Sequence, residues 1–520
     1  MALTEREVKV SWLFFGFVGI FYSGFATAAL CLASKPQAGV RVLSSPLSPV
    51  WSNASSGLLG ASIQYHYDDD ALWAKAQTVA SLRQAGIVTL RFPGGELADN
   101  YDWEKHALER SRGWPKEAVT DEGRLLRTDY REFLAHATEI GVREPFFVVN
   151  VDGAFRAAGD RIGNLERYAA KAAAWVVAVK TLGFKVRYWE IGNEPYLKGY
   201  PLTADEYAQV LTVFSKKMRA ADPSILIGAA GPGNFKGVGF GDRLGPDSLE
   251  ALRASKRPAK NRCKGLRYTA CFDELREGRS APRQVPRWWP TLLEQSAKAF
   301  DFVAVHRYRM SDVSADKRLG RFRLTARLRQ LKQYLERAKG RPVSLTLTEW
   351  NTPNEERNRS LSEIEHLLEI AIQFGNNAVA GVSFAHYWPM RASKQFAHKA
   401  LLDFAGNLKP VGWLFREIKG ILNNNVQVSQ AMSGAGVYSL TIRSSKLNGY
   451  LFANVGSSAA QAALEELAGG DVQVVRMVAD QEGRVEVPSA CKDTNVAVGR
   501  QWLIIPPQSV TIVQRVTEKE

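Results

Sequence analysis

The chain has 520 residues, with 68 Lys and Arg against 53 Asp and Glu and a formal net charge of +15. That length exceeds one small domain and suits a large α/β barrel with an accessory domain. Hydrophobic residues at 45%, charged at 23% and aromatic at 10% support a full core and exclude a disordered, collagen-like, coiled-coil or polytopic membrane protein. Four cysteines, without a CxxC or Cys/His pairing, exclude a disulfide scaffold and set up no zinc site.

Residues 12–30 (WLFFGFVGIFYSGFATAAL) form an apolar run near the start of the chain. It reads as an export signal with a small-x-small site at Ala26-Thr27-Ala28, or as an uncleaved anchor, since its length approaches that of a membrane span. The expected location is therefore secreted or periplasmic, with a membrane tether if residues 1–34 stay attached. Cys31 would invite lipidation, but Leu30 stands where a small residue is wanted. In an oxidising compartment Cys263 and Cys271 are close enough to pin a loop, and Cys491, distant from both, reads as a buried free thiol.

From residue 55 to 423, β-branched and aromatic segments alternate with amphipathic ones. Strands are predicted at 59–66, 87–93, 145–151, 186–192, 224–230, 301–308, 343–349 and 379–388. Helices are predicted near 71–85, 127–140, 161–182, 203–221, 320–338, 359–375 and 411–422, with a long irregular gap after the fifth strand. Eight strand–helix repeats imply a parallel sheet closed into a (β/α)8 TIM barrel. From 424 to 520 the period becomes two, in VYSLTIRS (437–444), NGYLFANV (448–455), VQVVRMV (472–478) and SVTIVQRV (509–516). These predict an antiparallel β-sandwich, to which 36–54 would add a strand.

Barrels of this kind carry their chemistry at the C-terminal ends of the strands. The polar residues predicted there are Arg91, Asn150, Asn193, Glu194, His306, Tyr308, Glu349, His386 and Trp388. Glu194 ends strand four and Glu349 ends strand seven. Two carboxyl groups across a cleft fit glycoside hydrolysis, one protonating the leaving oxygen and the other attacking carbon. Either glutamate alone would read as a helix cap or a salt-bridge residue.

WEIGNEP (189–195) and LTEWN (347–351) resemble the acid/base and nucleophile motifs of glycoside hydrolase clan A. LRFPGG (90–95), followed by Tyr101 and Trp103, resembles the second-strand motif of its α-L-arabinofuranosidase-like members. The resemblance covers residues 55–515. It implies a retaining enzyme with Glu194 as general acid/base and Glu349 as nucleophile, their carboxyl groups about 5–5.5 Å apart. Asn193 would hydrogen-bond the sugar hydroxyl beside the reacting carbon. Arg91 and Tyr308 would hold Glu349 ionised and oriented. Glu194 would stay protonated through desolvation and the nearby carboxylate. His306 and Tyr308 resemble a sixth-strand motif of the clan, Trp388 would stack on the sugar ring, and Asn150 would contact substrate. His66 and His386 read as pocket-lining or as barrel-rim residues. Pro195 departs from arabinofuranosidases and matches β-glycosidase, xylosidase and glucuronidase branches, which leaves the sugar open.

The positive charge is concentrated. Residues 251–300 hold 12 Lys/Arg against 4 Asp/Glu, and residues 311–342 hold 10 against 3. The first window, with Trp288-Trp289-Pro290, predicts a cationic aromatic wall beside the cleft and an acidic, uronate-bearing glycan. The second, with Arg321, Arg323, Arg327, Arg329 and Lys332, reads as the solvated face of an outer helix, and a basic surface near anionic lipid is the further alternative. No nucleic-acid fold is apparent, and no metal or organic cofactor is implied. The expected function is a retaining glycoside hydrolase acting on a polysaccharide. The alternative from another class is a non-catalytic glycan-binding or exopolysaccharide-assembly protein on a glycosidase scaffold.

Overall fold

The computed structural model describes residues 31–43, 51–64, 68, 70–109, 128–157, 161–196, 202–233, 288–311, 316, 322–353, 361–391, 399–422, 426–433, 436–444, 448–464, 471–493 and 501–516. The expectations for the N-terminal apolar run, His66, Cys263, Cys271, Arg321 and most of the basic 251–300 window fall outside them. Among the described residues no helix is long and apolar enough to cross a membrane.

Eight parallel strands close a barrel. They are β1 (Gly60–Ser62), β2 (Thr89–Phe92), β3 (Glu144–Val149), β4 (Tyr188–Ile191), β5 (Leu226–Pro232), β6 (Phe302–Tyr308), β7 (Ser344–Asn351) and β8 (Phe384–Tyr387). Each is followed by a helix: α1 (Ala76–Gln84), α2 (Tyr130–Ile140), α3 (Arg161–Thr181), α4 (Ala204–Ala221), α5 (Trp288–Ser296), α6 (Arg323–Lys339), α7 (Glu363–Val379) and α8 (Pro410–Lys419). Asp129, Thr203 and Ser362 start α2, α4 and α7 with capping boxes, each closed by a glutamate three residues on. The strand expected from 379 begins only at Phe384. Val379 continues α7, and the chain turns at Gly381 with φ 74°.

Inside the barrel, alternate side chains form a packed floor. Phe146, Tyr188, Phe302 and Ala304 cluster there, with Phe384 against them, and Phe146 stacks on Tyr188 at 4.4 Å between ring centroids. His386, offered above as pocket-lining, is fully buried against Phe146, and its Nε2 lies 2.8 Å from Thr89 Oγ1. It is a residue of the barrel interior, and burial drives its pKa far below the ordinary value.

The sequence pattern did not reveal α5. Its Trp288 and Trp289 are completely buried, and their indole N–H groups donate to Ala230 O at 3.2 Å and Pro232 O at 2.8 Å. The expected tryptophan wall is therefore core, because these rings fill the space outside β5 that Gly231 leaves. A Cβ on Gly231 would strike both indoles.

The C-terminal strands are β9 (Val426–Met432), β10 (Val437–Arg443), β11 (Asn448–Asn454), β12 (Ala460–Leu464), β13 (Asp471–Met477), β14 (Ser489–Asp493), β15 (Gln501–Ile505) and β16 (Ser509–Val516). One sheet runs β14-β13-β16-β11-β10-β9 and ends on the short strand Ser52–Ala54; the other holds Arg41–Val42, β12 and β15. Between them pack Val437, Phe452, Ala460, Leu464, Val472, Val474, Leu503, Ile505 and Val513. Each fully buried aliphatic or Phe side chain of such a core contributes about 1.5–3 kcal/mol.

The outer face of the larger sheet lies against α7, whose described side chains from Leu367 to Val379 are all buried. Gly375 permits this, since any Cβ there would overlap the Tyr438 hydroxyl. Tyr438 donates to Gln430 at 3.1 Å, Gln430 to Thr325 at 2.9 Å, and Thr325 to Asn376 Oδ1 at 2.8 Å, a relay that joins the sheet to α6 and α7. Arg329, read above as solvated, is half-buried and binds Ser52 Oγ at 2.5 Å and Val379 O at 3.0 Å.

Cys491 is bonded to Cys31 rather than free, across 460 residues of sequence. The backbone N–H groups of Cys31 and Leu32 donate to the Asp493 carboxylate at 2.9 and 2.8 Å, which seats the N-terminal segment against β14. Peptide mapping without reductant should recover Cys31 joined to Cys491. Cys491→Ser should cost about 2–4 kcal/mol in chemical denaturation. Recovery of Cys491 as a free thiol from native protein would contradict the pairing.

Candidate active site

Strand alternation points Ser62, Arg91, Glu190 and Thr348 into the barrel at its C-terminal end. Arg91 is completely buried there and uses its whole fork. Nε donates to Glu190 Oε2 at 2.7 Å, Nη1 to Glu349 Oε1 at 2.8 Å, and Nη2 to Asn193 Oδ1 at 2.9 Å. Burial opposes its charge, but Glu190 and Glu349 outweigh that and push its pKa above the ordinary value. Thr348 Oγ1 donates to the other oxygen of Glu190 at 3.1 Å.

Simple alternation along β7 would turn Glu349 outward, because Thr346 and Thr348 face in. A bulge changes this. Val305 of β6 pairs with Leu347, but His306 pairs with Glu349, so one residue is skipped and the carboxylate turns inward. Tyr308 then donates to Glu349 Oε2 at 2.6 Å. Burial and the Glu349 charge hold the Tyr308 phenol far above its ordinary pKa, so it remains a donor.

Glu194 lies three residues beyond β4 in a left-handed conformation, φ 45°. Such a backbone costs a non-glycine residue about 1–3 kcal/mol, and strain of this kind is concentrated at functional sites. Its neighbour Asn193 is anchored by a backbone donation to Asp99 Oδ1 at 3.2 Å. His306 Nδ1 lies 2.9 Å from Glu194 Oε1 and 3.4 Å from Glu349 Oε2. One oxygen of each carboxyl group and a His306 ring nitrogen all fall within 4.8 Å of one another. Burial lowers the His306 pKa, but the charges of Glu349 and Glu194 outweigh it and raise it overall. These three side chains are near enough to share a cation, yet both Glu349 oxygens already accept from Arg91 and Tyr308.

Trp388 follows β8, its ring 6.0 Å from that of Tyr308 in an edge-on arrangement. The structure thus brings together Arg91, Asn193, Glu194, His306, Tyr308, Glu349 and Trp388. Asn150 stands apart. Its Oδ1 accepts from Gly153 N at 3.0 Å, and it lines a small cavity with Tyr101, Trp103 and Trp175.

No family model matches the chain. An intracellular exo-α-(1→5)-L-arabinofuranosidase of Halalkalibacterium halodurans is 28% identical over 189 residues, 34% of this chain and 36% of that protein. The match therefore spans about a third of this curated relative. The family 51 α-L-arabinofuranosidase of Bifidobacterium longum superposes with a TM-score of 0.60 at 13% identity, over 90% of this chain and 97% of the other. A bifunctional glucanase-xylanase from a metagenome library gives 0.58 at 14% identity, over 92% and 99%. The chain resembles the arabinofuranosidases of glycoside hydrolase clan A. The solved structures, at such low identity, show the fold.

In this arabinofuranosidase-like barrel the residue that motif reading missed is Glu190, the first glutamate of WEIGNEP. Two-residue alternation along β4 was the available signal, since it puts Glu190 on the inner face with Tyr188. The helix behind the site was also unforeseen as a polar element. Along buried α7, Glu369 accepts from Ser311 N at 2.6 Å, Gln373 donates to Arg309 O at 2.7 Å, and Asn377 accepts from Arg307 at 3.0 Å. The stripe holds the backbone that carries His306 and Tyr308.

Burial pushes the Glu369 carboxyl up to about 7, against the hydrogen bonds of Ser311 and Gln373 and the charge of Arg307. A carboxyl raised from its ordinary 4.5 binds its proton more tightly in the folded state, so its stabilising effect is lost as pH rises from about 4.5 to about 7. Denaturation at pH 5 and pH 8 should show Glu369→Gln gaining on the wild type at the higher pH. An unchanged difference would refute this ionisation.

Proposed function

We propose that the protein is a retaining glycoside hydrolase that cleaves O-glycosidic bonds in a polysaccharide by double displacement. The observation that carries this reading is the approach of the Glu194 and Glu349 carboxyl groups to within 4.8 Å, with Glu349 held by Arg91 and Tyr308. Inverting enzymes separate their carboxyl groups by roughly 6.5–9.5 Å to admit a water, and an approach of one oxygen of each group to within 4.8 Å favours the shorter, retaining separation.

In the first step a Glu349 oxygen attacks the anomeric carbon as the bond to the leaving oxygen breaks, and that oxygen takes the proton of Glu194. The charge lost from Glu349 as its ester forms is buffered by Arg91, which remains paired with Glu190. In the second step Glu194, now a carboxylate, takes a proton from water while the hydroxyl adds to the anomeric carbon and releases Glu349. His306 stays beside Glu194 through both protonation states. Asn193, its oxygen on Arg91, offers its amide N–H to the sugar hydroxyl next to the reacting carbon.

The finer substrate reading is an acidic glycan. It is supported by the sequence charge of 251–300, since the tryptophans that also suggested it are core. Neutralising Arg262, Lys264 and Arg267 together should raise KM for uronate-bearing polysaccharide and leave small neutral substrates unaffected; equal effects on both would sink the idea. Export is the reading we favour for location. The apolar run at 12–30 and the Cys31–Cys491 bond support an oxidising compartment.

The test of the activity is turnover of aryl glycosides and polysaccharides by the wild type, Glu349→Gln and Glu194→Ala. Glu349→Gln should lose turnover and retain substrate binding. Glu194→Ala should lose roughly 10²–10⁴-fold on natural glycans, less on activated aryl glycosides, and recover with azide. Full activity in Glu349→Gln would remove it as nucleophile, and binding without turnover by the wild type would favour the non-catalytic scaffold.

A further inference from the structure

Glu190 moves no proton and forms no bond in the two proposed steps, yet it is the more deeply enclosed of the two carboxylates on Arg91. Glu190 and Arg91 have no exposed surface, whereas Glu349 keeps 5% of its own. Along β4 the inward parity runs from Tyr188, in the aromatic floor, to Glu190, so this carboxylate lies between the floor and the cleft. Both of its oxygens are held: Oε2 accepts from Arg91 Nε at 2.7 Å, and Oε1 from Thr348 at 3.1 Å. His306 Nε2 stands 4.0 Å from Oε1.

The charges around Arg91 change when Glu349 reacts. Before attack one guanidinium serves two carboxylates, which leaves one negative charge in excess. Once Glu349 is an ester, Arg91 and Glu190 balance. With a neutral residue in place of Glu190 the count would be even before attack, and a buried cation would be stranded after it. No water reaches Arg91 to replace the lost anion, and the other partner of its fork, Asn193, is neutral. Glu194, His306 and Tyr308 also face Glu349, and they are common to both cases.

This bears on the two steps with opposite sign. In the first, a Glu349 oxygen bonds to the anomeric carbon, and the leaving oxygen keeps the electron pair of its broken bond and takes the proton of Glu194. Glu349 gives up its charge here, so excess negative charge around Arg91 makes it a stronger nucleophile. In the second, the oxygen of water bonds to that carbon, Glu194 takes a proton from the water, and Glu349 departs with the electron pair. It regains its charge beside Arg91, so the same excess makes it a poorer leaving group.

We propose that Glu190 is the counter-ion of the covalent glycosyl-enzyme: acting through Arg91, it favours formation of the Glu349 ester and prolongs its lifetime. It is a positioning residue, with no surface to offer a substrate. The inference rests on the reading of Glu349 as nucleophile and Glu194 as acid/base.

The experiment measures the two steps separately in wild type and Glu190→Gln, each checked for an intact thermal transition. Glutamine keeps the shape and an acceptor for Arg91 Nε and removes the charge. Formation is read from kcat/KM on the aryl glycoside that turns over. Breakdown is read by mass spectrometry, as the decay of the adduct left by the 2-deoxy-2-fluoro glycosyl fluoride of the same sugar. In Glu190→Gln, kcat/KM should fall roughly 10- to 100-fold, while the adduct decays at the wild-type rate or faster. A merely structural role would slow both steps. Similar slowing of both, or a longer-lived adduct, would overturn this inference alone. Should Glu190→Gln lack the native transition, Thr348→Val carries the test. It strips Glu190 Oε1 of its hydrogen bond and leaves more of the charge to Arg91, so decay should slow relative to formation, by about 2- to 10-fold. No relative change, or one in the other direction, would overturn the inference. Absence of any adduct on Glu349 in the wild type would instead overturn the reading of Glu349 as nucleophile, and this inference with it.

Discussion

The buried guanidinium of Arg91 is the constraint around which the C-terminal end of this barrel is organised. A cation removed from water is tolerable only if its donors find anionic or polar acceptors, and here they find three on two other strands. Glu190 and Asn193 come from β4 and its end, and Glu349 from β7, so one planar group fixes the spacing of elements far apart in sequence. Two carboxylates on one cation would leave an excess of negative charge. Thr348 on Glu190 and Tyr308 on Glu349 offset it with hydrogen bonds. Breaking such a buried pair on one side typically costs about 3–5 kcal/mol, because the remaining charge is stranded.

Two local departures from regular backbone bring the glutamates together. The β7 bulge turns Glu349 inward, and the left-handed turn at Glu194 lifts its carboxyl over His306. Both are held from behind. The bulged strand pairs with β6 along its length, and the loop after β6 is bound by the polar stripe of α7. The sheet that contains β9 packs against α7, the same helix whose polar stripe binds the loop after β6. At the far side of the accessory strands the N-terminal segment is held by Asp493 and the Cys31–Cys491 bond.

Legibility in the sequence followed the range of the interactions. The eight barrel strands announced themselves because a parallel strand buried on both faces must be apolar throughout, and four sandwich strands because one-sided burial imposes a period of two. Short elements such as β12, β14 and Ser52–Ala54 carry too few residues for any period. α5 was hidden for another reason, since two tryptophans and a proline in a basic stretch look like a surface motif until β5 is seen to need filling. Cys491 had no neighbouring cysteine in sequence, and only the fold brings Cys31 to it.

The sequence by itself determined the architecture and the pair of glutamates. Both depend on signals carried by runs of neighbouring residues: burial periodicity, and motif residues fixed to the ends of predicted strands. The tertiary structure alone decided which residues share a charge and which tryptophans are core. Glu190 as the second anion of Arg91 and the inward turn of Glu349 arise between strands with no fixed separation along the chain. Pairing, desolvation and packing at that range depend on distance in space, which residue order alone does not specify.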